Sequence, residues 1–142
     1  MRILGIDVGR RRVGLAISDT SGTLARPLST VTVASAADAV ARVLAEVTRL
    51  AAEDDGLSAI VVGMPARLDG RPTTETPYVA AFIDALKTRT PIAVLTEDER
   101  LSSREAESRL AVKEKDWRRR KAKLDAAAAA VILQDYLDRR TA

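Results

Sequence analysis

Carboxylates beside apolar runs are the residues of this chain that could do chemistry. Asp7 lies between Ile6 and Val8 on a short apolar segment, where burying a carboxylate is costly unless a partner group compensates its charge. The acidic run 97–99 (Glu-Asp-Glu) follows a second apolar segment, and Asp125 precedes a run of alanines. Since acids from separate segments can converge in a fold, these positions are candidates for metal binding or acid–base work.

The composition narrows that chemistry. The 142 residues contain no His and no Cys, which excludes imidazole bases, the Ser-His-Asp triad, thiolate nucleophiles and cysteine or histidine zinc sites. Carboxylate oxygens are hard ligands that suit Mg²⁺ or Mn²⁺. Two such ions about 3.5–4 Å apart can activate a water and stabilise the leaving oxygen in phosphodiester cleavage, and neither role needs histidine.

Each acid also has a structural interpretation. Asp7 could cap a turn or pair with a nearby arginine, and the run 97–99 could be a solvated turn before a helix. Asp125 is predicted to open a helix, where the helix dipole favours a carboxylate. Taken singly, each acid is therefore weak evidence, and only the three together indicate a metal site.

Basic residues are clustered and indicate a polyanionic partner. Lys and Arg number 23 against 20 Asp and Glu, a net charge of +3. Residues 10–12 are three consecutive arginines, and residues 113–123 carry seven basic and two acidic side chains. Such clusters attract nucleic acid, although a solvated helix face would look the same. Aromatic residues are only 3 %, which argues against a platform for stacking single-stranded bases.

No apolar run approaches the length of a membrane span, and the N-terminus lacks the pattern of a secretory signal. We therefore expect a cytoplasmic protein with no membrane partner.

The hydrophobic pattern predicts a mixed sheet with helices on both faces. The predicted strands cover residues 2–8, 13–18, 24–33, 59–63 and 92–96. The predicted helices run from Ser35 to about residue 54, from Pro77 to Lys87, from Ser102 to about Val112, and from about Leu124 to Asp138. The spacing of Ser35 and Asp38 is that of a helix N-cap. Residues 113–123 are either a loop or a helix extension.

These elements suggest how the acids could meet. The carboxyl ends of strands form the ligand crevice in open α/β sheets. The small residues 126–130 would let the last helix lie close to the sheet and bring Asp125 to that crevice. We interpret Asp19 as closing a hairpin, and Gly14 as allowing close packing between strands.

Four ordered motifs resemble those of one family. Residues 7–19 match the pattern DxGxxRxGxAxSD, residues 63–65 (Gly-Met-Pro) match GxP, and residues 98–103 match DERx[ST][ST]. Asp125 and the alanines that follow match the family's final helix. The chain thus resembles, over nearly its whole length, the RuvX/YqgF family, described as Holliday-junction-resolvase-like and as candidate pre-16S rRNA nucleases.

The resemblance implies that residues 1–142 form a single ribonuclease H-like domain with a five-stranded mixed sheet. It also implies a site for Mg²⁺ or Mn²⁺, with two ions expected, held by Asp7, Glu99 and Asp125. Junction resolvases of the wider superfamily carry an acid at the end of the fourth strand, where this chain has Gly-Met-Pro at 63–65. Glu99 must substitute for that acid, and Glu97 and Asp98 are close enough in sequence to compete with it.

The implied activity is endonucleolytic cleavage of structured nucleic acid, with the 5′ end of pre-16S rRNA as the expected substrate. One alternative is a resolvase of branched DNA, which would act as a homodimer because symmetric cleavage needs two sites. Another is a non-catalytic RNA-binding module on the same fold. The expected nucleic-acid contacts are Arg10, Arg11, Arg12, Arg100, Arg118, Arg119, Arg120 and Lys121.

Overall fold

The computed structural model of the chain describes residues 1–65, 71–98 and 117–141, and of residues 117–123 and 141 it describes the backbone alone. Two of the predicted site residues, Glu99 and Arg100, lie outside these ranges. The helix predicted from Ser102 to Val112 also lies outside them.

The described residues form a five-stranded sheet in the order β3-β2-β1-β4-β5. The strands are β1 (Arg2–Val8), β2 (Arg12–Ser18), β3 (Ala25–Thr32), β4 (Leu57–Met64) and β5 (Ala93–Asp98). The helices are α1 (Ala36–Ala52), α2 (Thr76–Arg89) and α3 (Trp117–Thr141). Strands β1, β2 and β3 pair antiparallel, whereas β4 pairs parallel with both β1 and β5. The predicted mixed sheet is confirmed.

One face of the sheet packs against α1 and α2 through branched aliphatic side chains. Leu4 and Ile6 of β1 and Leu15 of β2 point to this face and are fully buried. As predicted, α1 begins at a serine cap, since the Ser35 side chain accepts a hydrogen bond from the backbone N–H of Asp38. This face holds most of the buried apolar volume.

The opposite face packs against α3, and small residues line the contact. A Cβ built on Gly5 of β1 would lie only 2.7 Å from the Cβ of Leu133 on the helix. Ala16 on β2 and Ala129 on α3 are both fully buried in the same cluster. The prediction that an alanine-rich helix lies close to the sheet is therefore confirmed.

Asp19 closes the connection between β2 and β3, as predicted. Its Oδ1 accepts hydrogen bonds from the backbone N–H groups of Thr23 at 2.8 Å and Leu24 at 3.2 Å. These bonds favour the ionised carboxylate and hold the pKa of Asp19 below its usual value.

Two of the predicted boundaries that differ from the structure bear on the candidate acids. The described part of helix α3 already starts at Trp117 rather than near Leu124, so the helix-extension alternative is correct for residues 117–123. Asp125 is consequently the ninth residue of α3 instead of opening it, and the helix dipole does not explain its presence. Strand β5 continues to Asp98, so Glu97 and Asp98 belong to the strand and not to a turn after it.

None of the helices in the described ranges is long and apolar enough to cross a membrane.

Candidate functional site

Asp7 lies near the carboxyl end of β1, on the face of the sheet that carries α3. Because side chains alternate along a strand, Asp7 points to the same side as Gly5, which contacts α3 directly. Asp7 is half-buried, and its partner across the β1–β2 ladder is Gly14. The carboxylate therefore lies at the edge of the contact between α3 and the sheet.

Gly14 is the point of closest approach between α3 and β2. A Cβ built on Gly14 would overlap the backbone carbonyl oxygen of Asp125. The interpretation that Gly14 allows close packing between strands was wrong, since the helix backbone fills the space beside this glycine. Because Gly14 is also the register partner of Asp7, the two acids Asp7 and Asp125 lie beside the same glycine.

Arg12 fixes the side chain of Asp125. Its Nε donates a hydrogen bond of 2.8 Å to Oδ2 of Asp125, and the two side chains are 29 % and 24 % exposed. Arg12 is two residues before Gly14 and so points to the same face of β2. Sequence reasoning placed Arg12 among the phosphate contacts but missed this pairing.

A cleft of about 440 Å³ opens beside this pair. It is lined by Val8, Gly9, Arg10, Arg11, Arg12, Glu75 and Asp125. The turn between β1 and β2 is tight, because the N–H of Gly9 donates to the carbonyl of Arg12 at 2.9 Å. This turn places three consecutive arginines along the cleft that Asp125 also lines, so the cleft can attract a phosphate.

Arg10 is held from two sides within this cleft. Its Nε lies 3.2 Å and 3.1 Å from the two carboxylate oxygens of Glu75, and its Cζ lies 4.6 Å from the centre of the Tyr78 ring. Both Glu75 and Tyr78 belong to the first turn of α2 or its cap. Sequence reasoning did not identify either residue as functional.

Glu97 lies on β5 and is engaged elsewhere. Its carboxylate is only 6 % exposed, and its Oε2 is 2.5 Å from a guanidinium nitrogen of Arg139 in the last turn of α3. Burial raises the pKa of Glu97 above its usual value, the charge of Arg139 opposes that shift, and the nearby carboxylates Asp135 and Asp98 add to it. Strand β4 separates Glu97 from Asp7.

The described residues thus bring together Asp7, Asp125 and the arginines at 10–12. They include no group of three acidic residues placed to hold a metal ion. Arg118, Arg119, Arg120 and Lys121 lie in the first turns of α3, where only the backbone is described. The assignments of Glu99 and Arg100 remain sequence-based predictions.

Comparison with known sequences identifies relatives over the whole chain. Residues 1–139 match the sequence model of the family described as "RuvX: Holliday junction resolvase". A protein of Anaeromyxobacter dehalogenans, named "Putative pre-16S rRNA nuclease", is 41 % identical over 140 residues, covering 99 % of this chain and 98 % of the relative. A protein of Chloroflexus aggregans with the same name is 40 % identical over 138 residues, covering 97 % and 94 %.

Comparison with solved structures identifies the fold. RuvC of T. thermophilus in complex with a Holliday junction substrate superposes with a TM-score of 0.57 at 19 % identity, over 99 % of this chain and 96 % of that one. The fowlpox virus resolvase in complex with Holliday junction DNA gives 0.58 at 13 % identity, with full coverage of both chains. The predicted ribonuclease H-like fold is confirmed.

Proposed function

The chain belongs to the RuvX family, and from this premise we propose that it is a divalent-metal-dependent endonuclease that processes the 5′ end of pre-16S rRNA in the cytoplasm. The observation that carries the proposal is the convergence of Asp7 and Asp125 on Gly14, beside a cleft lined by three arginines. Relatives at about 40 % identity that bear the name of a pre-16S rRNA nuclease support the choice of substrate.

The residues present fit a divalent metal ion. Asp7 and Asp125 offer hard oxygen donors from a strand and a helix whose separation is fixed by the glycine between them. Glu99 would supply a third carboxylate, on the strength of the family motif at residues 98–103. When bound, Mg²⁺ or Mn²⁺, as one ion or as a pair, makes water a stronger nucleophile and stabilises the leaving oxygen.

The remaining residues of the cleft bind and orient the substrate. Arg12 holds the Asp125 carboxylate in place through its hydrogen bond, so that the side chain does not swing away from the sheet. Arg10 and Arg11 bind backbone phosphates, as do the basic residues 118–121 at the start of α3. Contacts of this kind position the nucleic acid without reading its sequence, and their strength falls with salt.

The environment of Glu97 supports Glu99 as the third ligand. The carboxylate of Glu97 is only 6 % exposed against Arg139 and is separated from Asp7 by strand β4. The Asp125 carboxylate, by contrast, is paired with Arg12 but is 24 % exposed and lines the cleft. We expect Glu99→Gln to abolish cleavage and Glu97→Gln to retain most of it. The two variants are compared by their initial cleavage rates at identical metal concentrations. Loss of activity in Glu97→Gln alone would assign the third metal ligand to Glu97 instead.

Cleavage of branched DNA is the second candidate function. The description of the family as Holliday junction resolvase favours it. Symmetric cleavage of a four-way junction needs two sites related by a two-fold axis, and therefore a homodimer. A chain that remains monomeric with the junction bound would count against this function.

The decisive experiment offers a pre-16S rRNA fragment and a four-way DNA junction to the purified protein with Mn²⁺, with Mg²⁺ and with EDTA. We expect metal-dependent cutting of the rRNA fragment. Asp7→Asn should abolish it while binding persists, because the change removes a metal ligand but not the arginines. Asp84→Asn, the same substitution at an exposed position of α2, is the matched control.

Full activity in Asp7→Asn would remove the metal site from the proposal. Preference for the junction would favour the resolvase. Binding to RNA without cutting under any metal would identify a non-catalytic RNA-binding module.

A further inference from the structure

The arginine-lined cleft contains a carboxylate that the proposed function does not use. Glu75 lies opposite Arg10, Arg11 and Arg12 and is 45 % exposed. A negative charge at this position repels a nucleic-acid backbone, so its presence in a phosphate-binding cleft calls for a role.

The Glu75 side chain does not serve the helix to which it belongs. Glu75 is the N-cap residue of α2, but its side chain makes no capping hydrogen bond. The start of α2 is fastened instead by Thr76, whose hydroxyl donates to the carbonyl of Pro65 at 2.8 Å and accepts from the N–H of Thr73 at 2.8 Å. The carboxylate is thus free of helix capping and lies with both oxygens against Arg10.

The pair between Glu75 and Arg10 is replaceable. Both side chains are about half exposed, at 45 % and 58 %, and exposed ion pairs contribute little to stability. A carboxylate and a phosphate offer a guanidinium the same kind of acceptor oxygens. Glu75 therefore occupies the position on Arg10 that a backbone phosphate would take.

Tyr78 keeps Arg10 in the cleft when a phosphate replaces the Glu75 carboxylate. The Cζ atom of Arg10 lies 4.6 Å from the centre of the Tyr78 ring, which is a cation–π contact. This contact does not use the Nε–H group that donates to Glu75. Displacement of the carboxylate would leave the ring contact intact, so Arg10 stays positioned for its new partner.

We propose that Glu75 competes with substrate phosphate for Arg10 and thereby sets the affinity of the cleft for nucleic acid. The inference rests on the proposed function, since it assumes that the cleft binds nucleic acid. A substrate must contribute enough other contacts to displace Glu75. This requirement lowers the affinity for any polyanion that contacts the cleft alone.

The test measures binding in EDTA, where no cleavage occurs, by fluorescence anisotropy of a labelled pre-16S rRNA fragment. Glu75→Gln should bind about two- to fivefold more tightly than wild type, the range expected for freeing one arginine from an exposed ion pair. Glu46→Gln is the matched control, because it makes the same change of charge and breaks a similar pair, that of Glu46 with Arg49 at 2.6 Å on α1. It should change the affinity by much less.

A double substitution identifies the group that is released. In an Arg10→Ala background, Glu75→Gln should give a clearly smaller gain than in the wild-type background, because only the repulsion by the carboxylate is then relieved. A gain as large as in the wild-type background would overturn the proposal, since it would reflect the lost charge and not the release of Arg10.

The proposal would also be overturned if Glu75→Gln binds RNA no more tightly than wild type while its thermal unfolding matches that of wild type. The pair of Glu75 and Arg10 would then serve only to brace the β1–β2 turn. These outcomes are distinguishable from failure of the proposed function. If wild type binds no RNA, the function fails, whereas if wild type binds RNA and Glu75→Gln matches it, only this inference fails.

Discussion

The two faces of the sheet use the same strands for different purposes. Toward α1 and α2, the strands present branched aliphatic side chains that form the larger core. Toward α3, they present Gly5, Gly14 and Ala16, and the helix backbone comes down onto them. Because side chains alternate along a strand, neighbours such as Gly14 and Leu15 belong to different faces. Alternate residues of one strand thus have different roles: one set stabilises the larger core, and the other lets α3 approach the sheet closely.

The difference in side-chain size has a consequence for the proposed chemistry. Bulky residues hold a helix away from a sheet, whereas glycine lets the two backbones meet. Asp125 is brought beside the ladder that contains Asp7 only because Gly14 has no side chain. Substitutions at adjacent positions of β2 should therefore have separable effects on stability and on cleavage.

Leu15→Ala should give the largest loss of stability. Leu15 is fully buried on the α1 and α2 face, and truncation of such a leucine costs about 2–5 kcal/mol. Urea unfolding measures the loss. The cleavage rate, compared at a temperature where both proteins are folded, should stay close to wild type, and a large fall in rate would break the separation of the two faces.

Gly14→Ala should lower cleavage strongly and stability as well, because the clash is with helix backbone. The new methyl group overlaps the carbonyl of Asp125, so α3 must shift and carry that carboxylate with it. A displacement of about 1 Å in a catalytic group can lower the rate about 100-fold. Initial rates at saturating substrate measure the effect, and a variant as active as wild type would show that the close approach is not required.

Replacing Arg118, Arg119 and Arg120 together by Gln should have a smaller effect, confined to binding. Each lost phosphate contact reduces the slope of log affinity against log salt by about 1. Titrations of labelled RNA at several salt concentrations measure the slope. If the slope is unchanged, the start of α3 does not contact the substrate backbone.

Asp19→Asn should have the smallest effect, at the β2–β3 turn. The pKa of Asp19 is lower in the folded chain than its usual value of 3.8, so its stabilising contribution is complete above that value and is lost as pH falls through the folded pKa. The variant keeps an acceptor oxygen but not the charge. Its unfolding midpoint should therefore fall less than that of wild type as pH drops below about 4, and parallel curves would contradict this.

Much of the fold could be predicted because its signals are local. The Ser35 cap, the Asp19 turn and the apolar run of β4 each depend on a few consecutive residues, and each was confirmed. The start of α3 was left open between a loop and a helix extension, because residues 117–123 carry charges that are compatible with a helix but show no apolar period.

The missed parts of the site depend on contacts that are distant in sequence. Arg12 and Asp125 are 113 residues apart, and Arg10 and Glu75 are 65 apart. No local pattern reports such pairs. The role of Gly14 was misread for the same reason, because the atom that fills its space belongs to α3.

The proposed site requires Asp7 and Asp125 to share a divalent metal ion on the α3 face. Mn²⁺ binding tests this requirement without substrate. Binding is measured as the loss of the free-ion signal in electron paramagnetic resonance. We predict that wild type and Asp84→Asn bind Mn²⁺ alike, whereas Asp7→Asn and Asp125→Asn each lose most of that affinity. Wild-type affinity in both of the latter variants would contradict the account.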